Sequence, residues 1–198
     1  MAISLAKGQR ISLEKTSDAP LTQVFMGLGW DPAQKKGGFL SSVFGGGGGG
    51  DSIDLDASCL MFDGAKRLVD TVWFRQLKSQ DGSIKHSGDN LTGDGDGDDE
   101  IVYIDLTRVP ANVSTLVFTV NSFRGQTFNE VGGASCRLVD QVKNKELVNY
   151  KLSGGGNHTG MIMAKLVRNG AGWDMQALGE PGRGSTANDM LPGIQALI

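Results

Sequence analysis

Apolar residues fall two apart through much of the chain, beginning with Ile3 and Leu5 and then Ile11 and Leu13. That is the period with which a strand buries one face and wets the other. Ile3-Ser4-Leu5 and Arg10-Ile11-Ser12-Leu13 read as a hairpin turning near Gly8. The same alternation, or a short apolar run bounded by turn residues, predicts strands over 23–30, 52–62, 68–74, 100–106, 115–123, 135–141, 147–152, 159–167 and 173–178. A strand roughly every dozen residues predicts an all-β fold, a β-sandwich of two mainly antiparallel sheets with long loops. Helical spacing is confined to the tail at 186–197, where a short C-terminal helix is expected and Pro192-Gly193 should interrupt it.

A length of 198 residues suits one domain, 1–198, since two independent domains would each be undersized. One stretch, 32–50, breaks the pattern: Gly37-Gly38, the apolar run Phe39-Leu40-Ser41-Ser42-Val43-Phe44, and then six consecutive glycines. Six glycines specify no single backbone conformation, so a flexible Gly-rich surface insertion is expected. A sharper reading has 39–44 touching a partner or a membrane surface peripherally. The 30 glycines exceed the roughly 7% of average usage, and the excess belongs to loops.

Net charge is only −3, from 19 Lys and Arg against 22 Asp and Glu, so the total points to no nucleic acid. The N-terminal residues lack a basic segment followed by an apolar one, and no run reaches the ~18 apolar residues of a membrane span; a cytoplasmic location is expected. Two cysteines, Cys59 and Cys136, fit buried thiols in a reducing compartment.

The distribution of charge says more than its sum. Six of the 22 acids, Asp89, Asp94, Asp96, Asp98, Asp99 and Glu100, crowd into 89–100 without a base, and glycines alternate with them. Two like charges ~4 Å apart repel by about 4 kcal/mol at an effective dielectric near 20, so such a loop calls for a cation. The bland alternative is a solvated acidic hairpin tip. Oxygen donors select hard cations over zinc, and a Gly-rich loop offering carbonyls as well favours calcium, which takes six to eight oxygens, over magnesium. The spacing is not that of an EF-hand: counted from Asp94, Asp99 stands at the invariant Gly and Asp105 at the closing Glu.

Within 52–60, Ile53, Leu55, Ala57 and Cys59 share one strand face while Asp54, Asp56 and Ser58 share the other. If this strand lies beside the acidic loop, Asp54 and Asp56 complete a site with carboxylates enough for two ions. Asp31, ahead of Pro32, is a weaker candidate whose simpler role is turn formation.

Gly27-Leu28-Gly29-Trp30-Asp31, Asp54-Leu55-Asp56-Ala57-Ser58 and the run from Gly88-Asp89-Asn90-Leu91-Thr92-Gly93 to Asp98-Asp99-Glu100 together resemble the hallmark segments of the TerD family. The likeness continues through Ile104-Asp105-Leu106 and Leu116-Val117-Phe118-Thr119-Val120, and so spans nearly the whole chain. It implies a β-sandwich that binds calcium, in proteins linked to resistance to tellurite, phage and chemical stress. It carries Ca2+ binding onto Asp54, Asp56, Asp89, Asn90, Asp94, Asp96, Asp98, Asp99 and Glu100, with Asp31 the weakest match; the carboxylates in these segments are enough for two ions. Partners are then expected among other stress and tellurium-resistance proteins. The 32–50 insertion departs from the shorter connection of typical members and is more similar to the TerZ-type branch.

No catalytic constellation stands out. His86 and His158 sit in unrelated segments, no Cys-x-x-Cys is present, and Gly154-Gly155-Gly156 and 179–184 lack the Lys-Ser/Thr of a phosphate loop. The expected function is a calcium-dependent binding or scaffold module; the alternative is a metal-dependent phosphoesterase-type hydrolase using the aspartate cluster.

Overall fold

Alternation of apolar and polar residues resolves into strands whose inner faces close on one apolar core. The computed structural model describes residues 2–16, 20–32, 54–88, 97–152 and 155–198. Its strands in chain order are β1 (Ile3–Ser4), β2 (Arg10–Ser12), β3 (Gln23–Pro32), β4 (Leu55–Asp63), β5 (Leu68–Val72), β6 (Ile84–His86), β7 (Glu100–Asp105), β8 (Val113–Ser122), β9 (Val131–Asp140), β10 (Lys145–Leu152), β11 (Gly160–Asn169) and β12 (Gly172–Gly182). They form a first sheet ordered β1-β10-β9-β3-β7-β6 and a second ordered β2-β12-β11-β8-β4-β5. Every pairing is antiparallel except β1 with β10. The expected sandwich is therefore present.

Val24, Met26 and Leu28 of β3 meet Ala57, Cys59 and Met61 of β4 and Phe118 and Val120 of β8 in the core between the sheets. The outer face of the second sheet is also apolar in part: Leu60, Phe62, Val117, Ile162 and Leu178 form a smaller cluster with Ala187, Met190 and Ile194 from the tail. A strand buried on both faces reads as a continuous apolar run, as Cys59-Leu60-Met61-Phe62 does.

Two details differ from expectation. β1 and β2 are not a hairpin: β1 joins the first sheet beside β10, with Ile3 opposite Val148, and β2 joins the second beside β12, with Ile11 opposite Met175. Gly8, at φ +80°, makes the turn that carries the chain between sheets. Alternation reports which face of a strand is buried but not which strand lies beside it. Pro192 does not break the tail helix. The turn Ala187–Met190 leads into α1 (Leu191–Leu197), and Pro192 sits in its first turn, where a helix leaves backbone N–H groups unpaired anyway. Thr186 and Asp189 open the tail as a capping box, Asp189 Oδ2 accepting the Thr186 amide at 2.9 Å. Residues 33–50 of the expected insertion, with the apolar run 39–44, lie outside the described residues.

Candidate functional site

The start of β4 collects polar side chains on the outer face of the second sheet. Asp54 directly precedes the strand and Asp56 is its second residue; each is only 6% exposed. In register across the β4–β8 ladder, Asp56 lies opposite Asn121 and Ser58 opposite Thr119, so these four side chains share one face. All four are buried. Asn121, 1% exposed, makes no hydrogen bond among the described residues through either its amide oxygen or its amide nitrogen, and the Thr119 hydroxyl makes none there either. On the far side of Asn121 the next strand contributes Gly160, over which Met190 of the tail is seated. At the solvent side Arg124, whose side chain is 55% exposed, brings Nε to 3.0 Å from Asp54 Oδ2.

Strand β5 ends opposite Cys59, so the β4 edge ahead of it needs other partners. Glu100 and His86 supply them. The Glu100 carboxylate, with no exposure, accepts the Ala57 amide on Oε2 at 2.6 Å. His86 Nε2 lies 3.2 Å from the Ala57 carbonyl oxygen and 3.2 Å from Glu100 Oε2. Because the Gly88 amide donates to His86 Nδ1 at 3.1 Å, a neutral ring carries its proton on Nε2 and donates it toward that pair. The two side chains belong to the first sheet and stand in for a missing strand of the second.

The other described acids of the loop also have partners within the protein. Asp99 Oδ2 accepts the Trp30 amide at 2.7 Å, and the Asp99 amide donates to the Leu28 carbonyl at 2.9 Å. Asp98 takes a two-pronged bond from Arg137, Nε to Oδ1 at 2.8 Å and Nη2 to Oδ2 at 2.9 Å. Those hydrogen bonds raise the Arg137 pKa, burial opposing them. The Gly27-Leu28-Gly29 motif gains a physical reason here. A Cβ on Gly27 would run into the Asp98 carboxylate, and one on Gly29 would stand 2.8 Å from the Gly97 carbonyl oxygen.

Asp98, Asp99 and Glu100 thus fasten the end of the acidic segment to Arg137, to β3 and to β4. Asp54 and Asp56 are brought together at the β4 start. Asp31 pairs through its backbone with Gly133 of β9, and Asp89, Asn90, Asp94 and Asp96 lie outside the described residues. Among the described residues no three His, Cys, Asp or Glu side chains gather as a metal-holding group. The donors at the β4 start are nevertheless all of one kind. Two carboxylates and the unbonded Asn121 amide oxygen are hard oxygen ligands, the set that suits calcium. The local sequence pattern does not reveal Asn121, Arg124 or the bracing role of His86; the available signal is an Asn closing the mostly apolar stretch 116–121. Both cysteines are buried free thiols: burial pushes Cys136 up to about 12 and Cys59 higher still.

The model of the TerD domain family matches residues 1–190. The chain belongs to the TerD family. It is 55% identical to tellurium resistance protein TerZ of Serratia marcescens over 99% of this chain and 98% of that one, which places it with the TerZ-like branch. It is 43% identical to stress response protein SCP2 of Bacillus subtilis (strain 168) over 96% and 98%. Tellurium-resistance and stress-response proteins are thus among its relatives. A solved TerD homologue, SCO6318 from Streptomyces coelicolor A3(2), superposes with a TM-score of 0.62 at 20% identity, covering 85% of this chain and 98% of that one, and shares the fold.

Proposed function

We propose that this TerD-family protein is a calcium-binding stress-response protein associated with tellurite resistance, acting as a calcium-dependent binding or scaffold module. The observation that carries the reading is the pair of buried carboxylates, Asp54 and Asp56, on one strand face. Carboxylates withdrawn from water call for positive charge or donors to meet them, and the Arg124 guanidinium, 3.0 Å from Asp54 Oδ2, marks this as a place that takes positive charge. Asp54 and Asp56 would hold an ion together with oxygens of 89–96, and the acid-rich sequence there has carboxylates enough for a second. When bound, calcium supplies concentrated positive charge that relieves the repulsion among those acids. Asp98, Asp99 and Glu100 then act as the frame, tying the segment to β3, β4 and Arg137. The association with tellurite and stress rests on the names of the relatives.

A binding role draws support from the surface beside Arg124. Phe123, 45% exposed, stacks edge-on with Phe74 at 5.6 Å, and Arg75 lies over the rings of Trp73, Phe74 and Phe123 at 5.2–5.8 Å. Aromatic and arginine side chains dominate the energetics of protein interfaces. The test is thermal unfolding with chelator, with excess calcium and with excess magnesium. Calcium at a hundredfold excess over its dissociation constant should stabilise by about 2.7 kcal/mol, and magnesium by less. Identical melting in calcium and chelator would remove the calcium reading. Partner capture that is the same with calcium and with chelator would remove the module role while leaving ion binding intact.

A further inference from the structure

We propose that Asn121 is a cation ligand, its side-chain oxygen joining Asp54 and Asp56 in an oxygen site for a calcium-sized divalent ion on the outer face of the second sheet. This rests on the calcium reading above and deepens it, because it fixes where on the fold an ion sits and assigns a residue far in sequence from every acidic segment.

Directly opposed residues of an antiparallel pair have Cβ atoms about 5 Å apart, and Asp56 and Asn121 are such a pair. The Asn121 side chain therefore reaches the same space as the Asp56 carboxylate. It is 1% exposed, and among the described residues both its amide oxygen and its amide nitrogen lack a hydrogen-bond partner. Native proteins rarely leave a buried amide in that condition, since each orphaned group costs on the order of 1–3 kcal/mol. A Leu of nearly the same shape would fill the place without that cost. An amide oxygen on the same strand face as two carboxylates is suited to meet a cation there, and amide oxygens are ordinary calcium ligands.

The surroundings agree. Met190 closes the row beyond Asn121, where a Cβ on Gly160 would stand 2.6 Å from its sulfur, so water is kept from that side. At the open side the Arg124 guanidinium already occupies the position of a positive charge, 3.0 Å from Asp54 and half exposed, so it can swing out as an ion enters.

Calorimetric calcium titration of the full chain and of Asn121→Leu and Asn121→Asp, with melting of each in chelator, tests the assignment. The leucine variant should bind calcium about tenfold or more weakly than the natural chain, yet be no less stable in chelator, because it loses a ligand and sheds an unsatisfied amide. The aspartate variant keeps an oxygen at the same place and should retain binding. Unchanged affinity in the leucine variant overturns the proposal, as does a loss in the aspartate variant equal to that in leucine. Absence of binding by the natural chain instead overturns the calcium reading itself. Should the leucine variant not fold, the Asn121 side-chain amide resonances of the natural chain decide. They should shift on calcium addition, and no shift while calcium binds overturns the assignment.

Discussion

Truncating Glu100 would take the acceptor from the Ala57 amide and leave a void where a carboxylate was fully enclosed. Glu100→Ala is expected to lose about 2–4 kcal/mol of stability in urea unfolding with chelator present, with Glu100→Gln losing less because its amide oxygen can still accept from Ala57. A loss below ~0.5 kcal/mol would mean that the brace between the sheets contributes little. His158 yields a prediction in pH. Stacked on Phe128 with ring centroids 4.8 Å apart, it is held below its ordinary 6.5 by burial. The unfolded chain then takes up a proton before the folded one does. Its contribution to stability is present above about 6.5 and is lost as pH falls from there through the lower folded midpoint. An NMR titration midpoint at or above 6.5 would contradict this. At this scale the sequence displays some of the site and hides the rest. Asp54 and Asp56 are legible because period two puts them on one face, and their face is the one observed. The partners of Glu100 are not, since nothing in the local pattern says that β5 stops short and leaves the Ala57 edge to be met by a side chain from the other sheet. Asn121 is hidden for the same reason: its meaning comes from the strand opposite.

Elements are legible wherever apolar residues recur over several positions, as in β3, β4, β8 and β11, and obscure where only two or three residues carry the pattern. The three residues of β6 are too few to stand out, and the short patterns of β1, where Ile3 and Ser4 are both exposed, and of β2 do not say which strands lie beside them. In the tail, Pro192 reads as a stop in the sequence although proline is compatible with a first turn. That short helix is held by packing more than by propensity, since an isolated helix of this length is marginal in water. Ile194, its fully buried anchor against Leu60, Phe62 and Val117, carries the element. Ile194→Ala should cost about 2–4 kcal/mol in urea unfolding. Gln195→Ala, on the neighbouring exposed position, removes a bond to the Lys66 carbonyl and should change stability by less than ~0.5 kcal/mol. Equal losses in the two variants would mean that the outer cluster does not secure the tail.

For the molecule as a whole, the decisive feature is that its apolar residues divide into a large cluster between the sheets and a smaller one between the second sheet and the tail. Opening the first requires the sheets to part, which is global unfolding. Opening the second requires only that Ala187, Met190 and Ile194 lift from Leu60, Phe62, Val117, Ile162 and Leu178. Segments with fewer buried contacts open at lower free energy, so native-state hydrogen exchange should separate the two. Amides of Leu191–Leu197 are expected to exchange through a partial opening, at a free energy measurably below that of the β8 amides, which wait for the whole fold. The acidic row lies where the clusters meet, because Met190 of the smaller one sits on Gly160 beside Asn121. Lifting the tail therefore uncovers Asn121, and calcium bound there should raise the tail's opening free energy along with that of the sheets. Exchange of α1 at the same free energy as β8 in chelator would show one cooperative unit; a tail that calcium leaves untouched while β8 gains protection would separate the tail from the site.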